Sequence, residues 1–516
     1  MATTEPPVTT PSPRPSEVSA VAGSPVGTAP ATSRSPAQPA GLDPQLKRLA
    51  FVVMAGAIMS VLDTTIVNVA LNDLGRDLHS SLSTIQWVIT GYTLAQSMTI
   101  PLTGWAVRRF GGRTVWLVSL LLFGGGSVLC GLAWSVPALI AFRVLQGVGG
   151  GALMPVGQTM LAQAAGPNRM GRVMAFIAIP AMLAPALGPV LGGVILDNLA
   201  WRWLFFVNVP VCVLAVALAL RFLPKDVHQA DATTRFDTLG LLLFSPGLAA
   251  LVYGLSEAGN GAGLASAKVV ASVAVGAVLL IAGVLHAVRR AGQALIDVRL
   301  FRRRSFAVSV GAFFFYGVGV FGAMILLPLF FQLVDGASSL EAGLRVAPLG
   351  LGAIVTMTIS GRLSDRYDPR LVAGGGVLTV VLGLLACTQL TPSTSTVMLA
   401  VVVFVIGLGH GLTAPPLMAA AYRGLDRSEA PAASTASNVV LRVGTAIGPA
   451  LLAVALQSAI RDRVPGASGS LADAGRAVAN GAANQIARAF GTGFWWATVA
   501  GVIALVLVLA IPKRES

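Results

Sequence analysis

From Lys47 onward the chain is a succession of apolar runs, each about 18 to 25 residues long and divided from the next by a short polar segment. At a rise of 1.5 Å per residue, a helix of that length crosses a hydrocarbon core of about 30 Å. Charge agrees with this pattern. Only 11% of the 516 residues are Asp, Glu, Lys or Arg, and the mean hydropathy is +0.78, whereas an ordinary soluble domain carries roughly a quarter charged residues. So few charges cannot cover the surface of a soluble fold of this length. A soluble enzyme is excluded, and the fold class is an all-α polytopic membrane protein with about fourteen spans.

The basic residues give the orientation. Lys47 and Arg48, then Arg108, Arg109 and Arg113, then Arg169 and Arg172, and later Arg299, Arg302, Arg303 and Arg304 fall in alternate connections. Positive charge collects on the cytoplasmic side, so both termini are expected to be cytoplasmic and the location is the plasma (inner) membrane. The last outer loop, with Arg461, Arg463, Arg476 and Arg488, runs against this local rule without reversing the sum. Because the net charge of +14 sits in loops beside apolar runs, it marks topology and gives no reason to expect nucleic acid. Cys130, Cys212 and Cys387 each fall inside an apolar run, which suits packing and indicates neither a disulfide framework nor a metal site. Residues 1–46, rich in Pro, Ser, Thr and Ala and without an apolar signal core, read as a disordered cytoplasmic tail.

An internal repeat supports the span count. Gly147, Gly149, Gly151 and Pro155 recur as Gly407, Gly409, Gly411 and Pro415, and Gly188 with Pro189 recurs as Gly448 with Pro449. Both offsets are 260 residues (407 minus 147, 448 minus 188). The turn opening at Gly104 recurs at Gly361, an offset of 257. Spans 1 to 6 therefore correspond to spans 9 to 14, with spans 7 and 8 inserted between two six-helix halves. The expected domains are 47–224, an inserted pair with a linker over 225–304, and 305–512.

These features, with several strings, resemble the fourteen-span drug:proton antiporter branch of the major facilitator superfamily, the EmrB/QacA type. The run from Leu62 to Leu71 (LDTTIVNVAL) is similar to that branch's first-helix motif, Arg143 to Gly151 (RVLQGVGGG) to its span 4 motif, and Pro185 to Gly193 (PALGPVLGG) to its antiporter motif. Trp201 to Pro210 (WRWLFFVNVP) is close to the branch's start of span 6. The resemblance covers about residues 47 to 512 and implies export of amphipathic drugs or antibiotics by alternating access, driven by the proton gradient with no bound cofactor. One position departs from the pattern: where the family's loop after span 2 carries an acid, this chain has Arg108, while the second copy keeps Asp365. A latch between the halves would then rest on Asp365, with Gly104 opening the first turn.

Ionisable groups at membrane depth are costly and mark a pathway. Asp63 lies about 21 Å deep from the cytoplasm and Arg143 about 9 Å deep from outside, depths that agree in a core of about 30 Å. The resemblance implies that spans 1 and 4 both face the central cavity, so a facing carboxylate and guanidinium are expected to couple protons, with Gln146 on the same helix face as Arg143. Their 260-offset counterparts, Ala323 and Val403, are apolar. The alternative is a static interhelical ion pair. His410 and Arg442, both in the inner half of the bilayer, are candidates for substrate contact or proton relay, against a packing or snorkelling role. Tyr92 with Trp87, and Tyr316 with Phe313, Phe314, Phe315 and Phe321, could stack on an apolar or cationic ligand or face lipid. Gly188, Pro189, Gly192 and Gly193 permit bending and close packing, and the resemblance makes them an antiporter hinge.

The partners expected are a small amphipathic substrate, protons and the lipid bilayer. No GxxxxGK[ST], HExxH or CxxC string occurs, so neither ATP nor an enzymatic centre is expected, and GVGGG and GLGHG lie inside apolar runs rather than after a strand. Two other readings stay open at this level: a dedicated exporter of one metabolite or self-made antibiotic, and a non-transporting scaffold or sensor. A scaffold would not need an expensive buried pair.

Overall fold

The computed structural model describes residues 43–165, 169–226, 236–258, 266–290, 294–464 and 471–513. Among these the regular structure is helical: α1 (Pro44–Val69), α2 (Leu71–Asp77), α3 (Leu82–Phe110), α4 (Gly112–Gly131), α5 (Val136–Ala165), α6 (Met170–Asn198), α7 (Trp203–Phe206), α8 (Asn208–Phe222), α9 (Thr238–Glu257), α10 (Ala267–Arg289), α11 (Arg304–Leu333), α12 (Ser339–Arg366), α13 (Pro369–Cys387), α14 (Thr396–Ala421), α15 (Ala430–Arg463), α16 (Leu471–Ala479) and α17 (Ala483–Leu509). Twelve spans, with α7 and α8 making one of them, are long and apolar enough to cross a membrane among the described residues. Helices α3 and α6, at 29 residues each, are as long and pack between them. The first helix begins at Pro44, where the Asp43 side chain accepts the Gln45 N–H. That start is three residues before Lys47, and the rest of the expected tail lies outside the described residues.

The helices pack in two groups of matching pattern. In the first, α5 lies against α3 and α4, and α1 against α6 and α8; in the second, α14 lies against α12 and α13, and α11 against α15 and α17. The repeated glycines explain why. A Cβ at Gly147 would come 2.6 Å from the Tyr92 carbonyl oxygen on α3, and one at Gly407 would fall on the Leu349 carbonyl of α12. A Cβ at Gly149 would meet the α4 backbone at Phe123, and one at Gly409 the α13 backbone at Gly376. Without a hydrophobic drive between helices in lipid, small residues that let backbones touch supply the packing. The 260-residue offset in sequence is thus a repeated helix contact.

The inserted pair α9 and α10 packs mutually, and α9 also reaches α3 of the first half and α15 of the second. Only 17% of the most apolar window of α10 is buried, against 61% for α5, so α10 turns an apolar face outward to lipid. Its base is tied down by Asp237, the N-cap of α9. That carboxylate accepts from Gly240 N at 3.0 Å, His286 Nε2 at 2.8 Å, Arg290 Nη1 at 3.2 Å and Leu295 N at 3.0 Å. Burial pushes the Asp237 carboxyl up, and the hydrogen bonds from Gly240, His286 and Leu295 with the nearby imidazole bring it, on balance, below its ordinary value.

The halves meet at the end of the bundle that holds the start of α1 and the end of α17. Gly104 on α3 approaches Pro431 on α15, where an added Cβ would lie 3.1 Å from the Pro431 oxygen. Gly361 on α12 approaches α6, where an added Cβ would lie 2.8 Å from Arg172 Cα. The two turns singled out by the repeat therefore interlock with the opposite half. The Asp365 side chain lies outside the described residues. At the first turn, where Gly111 has φ 86°, a carboxylate arrives from Asp226. It accepts from Arg113 N at 3.0 Å and Thr114 N at 2.9 Å, capping α4. Arg108 lines a cavity beside it with Arg113, Lys225 and Asp226.

Candidate functional site

Asp63 and Arg143 come together in the interior of the first half, both side chains wholly buried, with Arg143 Nη1 2.5 Å from Asp63 Oδ2. Two further donors hold the carboxylate. Gln146 Nε2 and Asn208 Nδ2 each lie 2.9 Å from Asp63 Oδ1. Gln146 Oε1 in turn accepts from Arg143 Nη1 at 2.8 Å. Ser127 Oγ accepts from Gln146 Nε2 at 3.2 Å and Asn208 Nδ2 at 3.1 Å, and donates to the Phe205 carbonyl at 2.8 Å. The guanidinium lies over the Tyr92 ring, its central carbon 4.0 Å from the centroid, and Nε donates to the Val88 carbonyl at 3.2 Å.

This network draws on α1 (Asp63), α3 (Val88, Tyr92), α4 (Ser127), α5 (Arg143, Gln146), α7 (Phe205) and α8 (Asn208). The spacing of Arg143 and Gln146, three apart on one helix, puts both on the face toward α1. Close approach of α4 makes the ring compact: a Cβ at Gly126 would lie 2.8 Å from Gln146 Cα. One donor is unused. Arg143 Nη2 is buried without a hydrogen-bond partner among the described residues, so the ion pair is joined through one nitrogen rather than as a fork.

Tyr92, a candidate for stacking on a ligand or facing lipid, is fully buried beneath Arg143, and its hydroxyl donates to the Ser60 carbonyl at 3.2 Å. Asn208 and Ser127 did not emerge as candidates from the sequence, although Asn208 sits within the string that opens span 6. Trp87 stacks on Tyr253 of α9, with centroids 5.6 Å apart. Cys130, Cys212 and Cys387 are buried and free.

His410 and Tyr316 are also brought together, though in the second half. His410 Nδ1 and the Tyr316 hydroxyl are 2.6 Å apart. They line a cavity of about 130 Å³ between the halves, with Met154, Met174, Met357 and Met418 on its wall and Phe313 and Phe321 beside them. Gln158, Asn438 and Ser437 supply its few other polar groups, and Asn438 Nδ2 donates to Gln158 Oε1 across the halves at 2.7 Å. Four thioether side chains give an apolar wall that re-packs around different shapes.

Arg442 lies apart from both groups. Its Nε donates to Ser97 Oγ at 2.9 Å and its Nη2 to the Thr93 carbonyl at 3.0 Å, both on α3. With Thr103 and Thr435, whose hydroxyl oxygens are 3.1 Å apart, these bonds join the halves from the end holding the termini to mid-depth. Arg442 also lines a cavity of about 310 Å³ shared by α3, α9, α11 and α15. In the hinge string, a Cβ at Gly188 would fall on Thr65 of α1, one at Gly192 would lie 3.2 Å from the Ile66 oxygen, and one at Gly193 would meet nothing within 4 Å. The Pro189 side chain lies outside the described residues.

Two matched helical groups around a central cavity, with a buried ion pair to one side, define a polytopic secondary transporter rather than an enzyme. The sequence profile described as the Major Facilitator Superfamily matches residues 53–449, and the chain belongs to that superfamily. It is 38% identical over 420 residues to the multidrug resistance protein B homolog of Mycobacterium tuberculosis (strain ATCC 25618 / H37Rv), covering 81% of this chain and 77% of that protein. It is 33% identical over 345 residues to the putative multidrug resistance protein MdtD of Escherichia coli O7:K1, covering 67% and 71%. The solved structure of the proton:xylose symporter XylE shares the fold, with a TM-score of 0.59 at 15% identity over 91% of this chain and 96% of that one.

Proposed function

We propose that the chain is a proton-coupled antiporter that exports amphipathic drugs or antibiotics across the plasma membrane by alternating access, with both termini cytoplasmic. The observation that carries this reading is the single-nitrogen junction between two wholly buried charges, Asp63 and Arg143, with Arg143 Nη2 left unused. A structural ion pair gains most as a two-bond fork with every lone pair filled. A pair that must open each cycle instead needs partners ready for each member. Here they exist. When Asp63 takes a proton, Arg143 keeps Gln146 Oε1, the Val88 carbonyl and the Tyr92 face as acceptors. The change in charge is then felt on α1, α3, α4, α5 and α8 together, and α3 carries it one turn further to Thr93 and Ser97, the residues that hold Arg442 of the other half.

The relatives named multidrug resistance proteins support a substrate that is a small amphipathic molecule. The cavity lined by methionine and aromatic side chains, with His410 and Tyr316 as its polar pair, suits such a ligand. Cross-half contacts gather at the end with the termini, which supports reading this conformation as closed to the cytoplasm. The absence of an acidic partner for the pair in the second half, where Ala323 and Val403 stand, fits one coupling centre per chain.

The test is a panel of structurally unrelated fluorescent amphiphiles added to inverted membrane vesicles carrying a pH-sensitive dye. Antiport makes each transported amphiphile dissipate a preformed proton gradient, and a protonophore stops its uptake. Uptake that persists without a gradient overturns the coupling; response to one compound alone overturns the broad substrate range.

A further inference from the structure

The geometry points to a second ligand site, for an amphipathic anion, in the cavity that Arg442 shares with the inserted helix α9. This site is separate from the methionine-lined cavity and does not rest on proton coupling. Its volume is about 310 Å³, at the lower bound of cavities that hold drug-sized ligands. Leu255 and Ser256 of α9 and Leu329 of α11 form its walls, and Gln457 marks its far end on α15. Arg442 to Gln457 is 15 residues of helix, about 22 Å, so the lining runs along most of that length of α15, with Arg442 its one charged side chain.

Arg442 sits 12 residues into α15, about 18 Å along its axis, and its hydrogen-bond partners, Ser97 Oγ and the Thr93 carbonyl, are neutral. Among the described residues no carboxylate pairs with it, and the cavity lining contains no Asp or Glu. Arg143, by contrast, carries its own counter-ion. A guanidinium at membrane depth without a counter-charge is costly unless something completes it. In a low-dielectric, mostly apolar cavity it attracts an anionic head whose apolar body lies along α9 and α11. A cation is repelled from the same place. A free amphipathic carboxylate and the headgroup of an anionic lipid share this chemistry.

The test is equilibrium binding to the full chain in phosphatidylcholine nanodiscs, with a dansyl-labelled undecanoate and the corresponding dansyl-labelled undecylamine as probes. The expected result is saturable binding of the carboxylate at an affinity at least about tenfold above that of the amine. Arg442→Gln should weaken the carboxylate by about tenfold or more, while Arg442→Lys, which keeps the charge, recovers most of it. Ser256→Trp, which fills the cavity from α9 and leaves Arg442 in place, should also displace the probe. A tether between the halves with no ligand role would show no preference for the sign of the probe. Should Arg442→Gln fail to fold, the carboxylate-to-amine ratio and Ser256→Trp decide alone. Equal affinity for both probes, or carboxylate binding indifferent to Ser256→Trp, overturns the site. Adding phosphatidylglycerol to the discs separates the sources: competition assigns the site to lipid headgroups, unchanged binding assigns it to free anions, and either supports an anion site.

Discussion

Asn208 gives the sharpest handle on how Asp63 is poised. Its Nδ2 donates to Asp63 Oδ1 at 2.9 Å and to Ser127 Oγ at 3.1 Å, inside a region closed to solvent. In Asn208→Ala the carboxylate keeps Arg143 Nη1 and Gln146 Nε2, and Ser127 keeps the Gln146 amide, so the ring loses one donor without collapsing. A hydrogen bond to a charged group contributes about 1.5 to 3 kcal/mol. At about 1.4 kcal/mol per tenfold change in an equilibrium constant, its loss lowers the folded-to-unfolded ratio by about one to two powers of ten. The free energy of unfolding, measured by denaturant titration of the variant and the unaltered chain in detergent, should therefore fall by about 1.5 to 3 kcal/mol. Substrate affinity at saturating proton concentration should be unchanged. A change in unfolding free energy of less than about 0.5 kcal/mol, in protein that still elutes as a folded species, would refute the account of how this carboxylate is held.

Gly188→Ala should lower the melting temperature and slow transport, because its Cβ falls on Thr65, whereas Gly193→Ala, with nothing within 4 Å, should change stability by less than about 0.5 kcal/mol; thermal melts of the two variants make the comparison. Thr103→Cys with Thr435→Cys should form a disulfide under oxidation, since the native hydroxyls are 3.1 Å apart, and it should stop transport until a reductant is added; transport by fully cross-linked protein would show that this end does not open. Asp237, whose carboxyl lies below its ordinary value, contributes stability that is present above about pH 3.9 and is lost as pH falls through the depressed value. Amide exchange in the segment 294–302 should accordingly stay slow from pH 7 to 5 and quicken below 4, and Asp237→Asn should show fast exchange at every pH, corrected for intrinsic rates.

The depth of charged residues along apolar runs put Asp63 and Arg143 at one level, because a helix converts residue count into height and few other charges compete there; that their two helices face each other came from the family resemblance. The same logic is blind to Asn208 and Ser127. Neutral amides and hydroxyls cost little in a sequence pattern and gain meaning only when α4 and α8 close around Asp63; an Asn two positions before Pro210 in an apolar stretch was the available signal. Tyr92 carried an aromatic signal that does not say what the ring touches, and the structure puts it under Arg143. The repeated glycines were legible as a repeat and proved to be contact points, Gly147 with α3 and Gly407 with α12. Nothing in the apolar pattern of α9 indicates that it would lie against both α3 and α15, because its neighbours are set by the packing of two distant halves.

The account rests on Asp63 as the group that carries the proton. The most direct test reconstitutes Asp63→Asn beside the unaltered chain and measures two quantities: substrate accumulation against an imposed proton gradient, and substrate exchange at equal concentrations with no gradient. Asn keeps the size and one carbonyl acceptor, which can serve either Arg143 or the Gln146 and Asn208 amides, and it holds no titratable proton. The account predicts that accumulation and the accompanying proton flux vanish in the variant while exchange persists. Accumulation at the rate of the unaltered chain, with protons still moving in return, would contradict it.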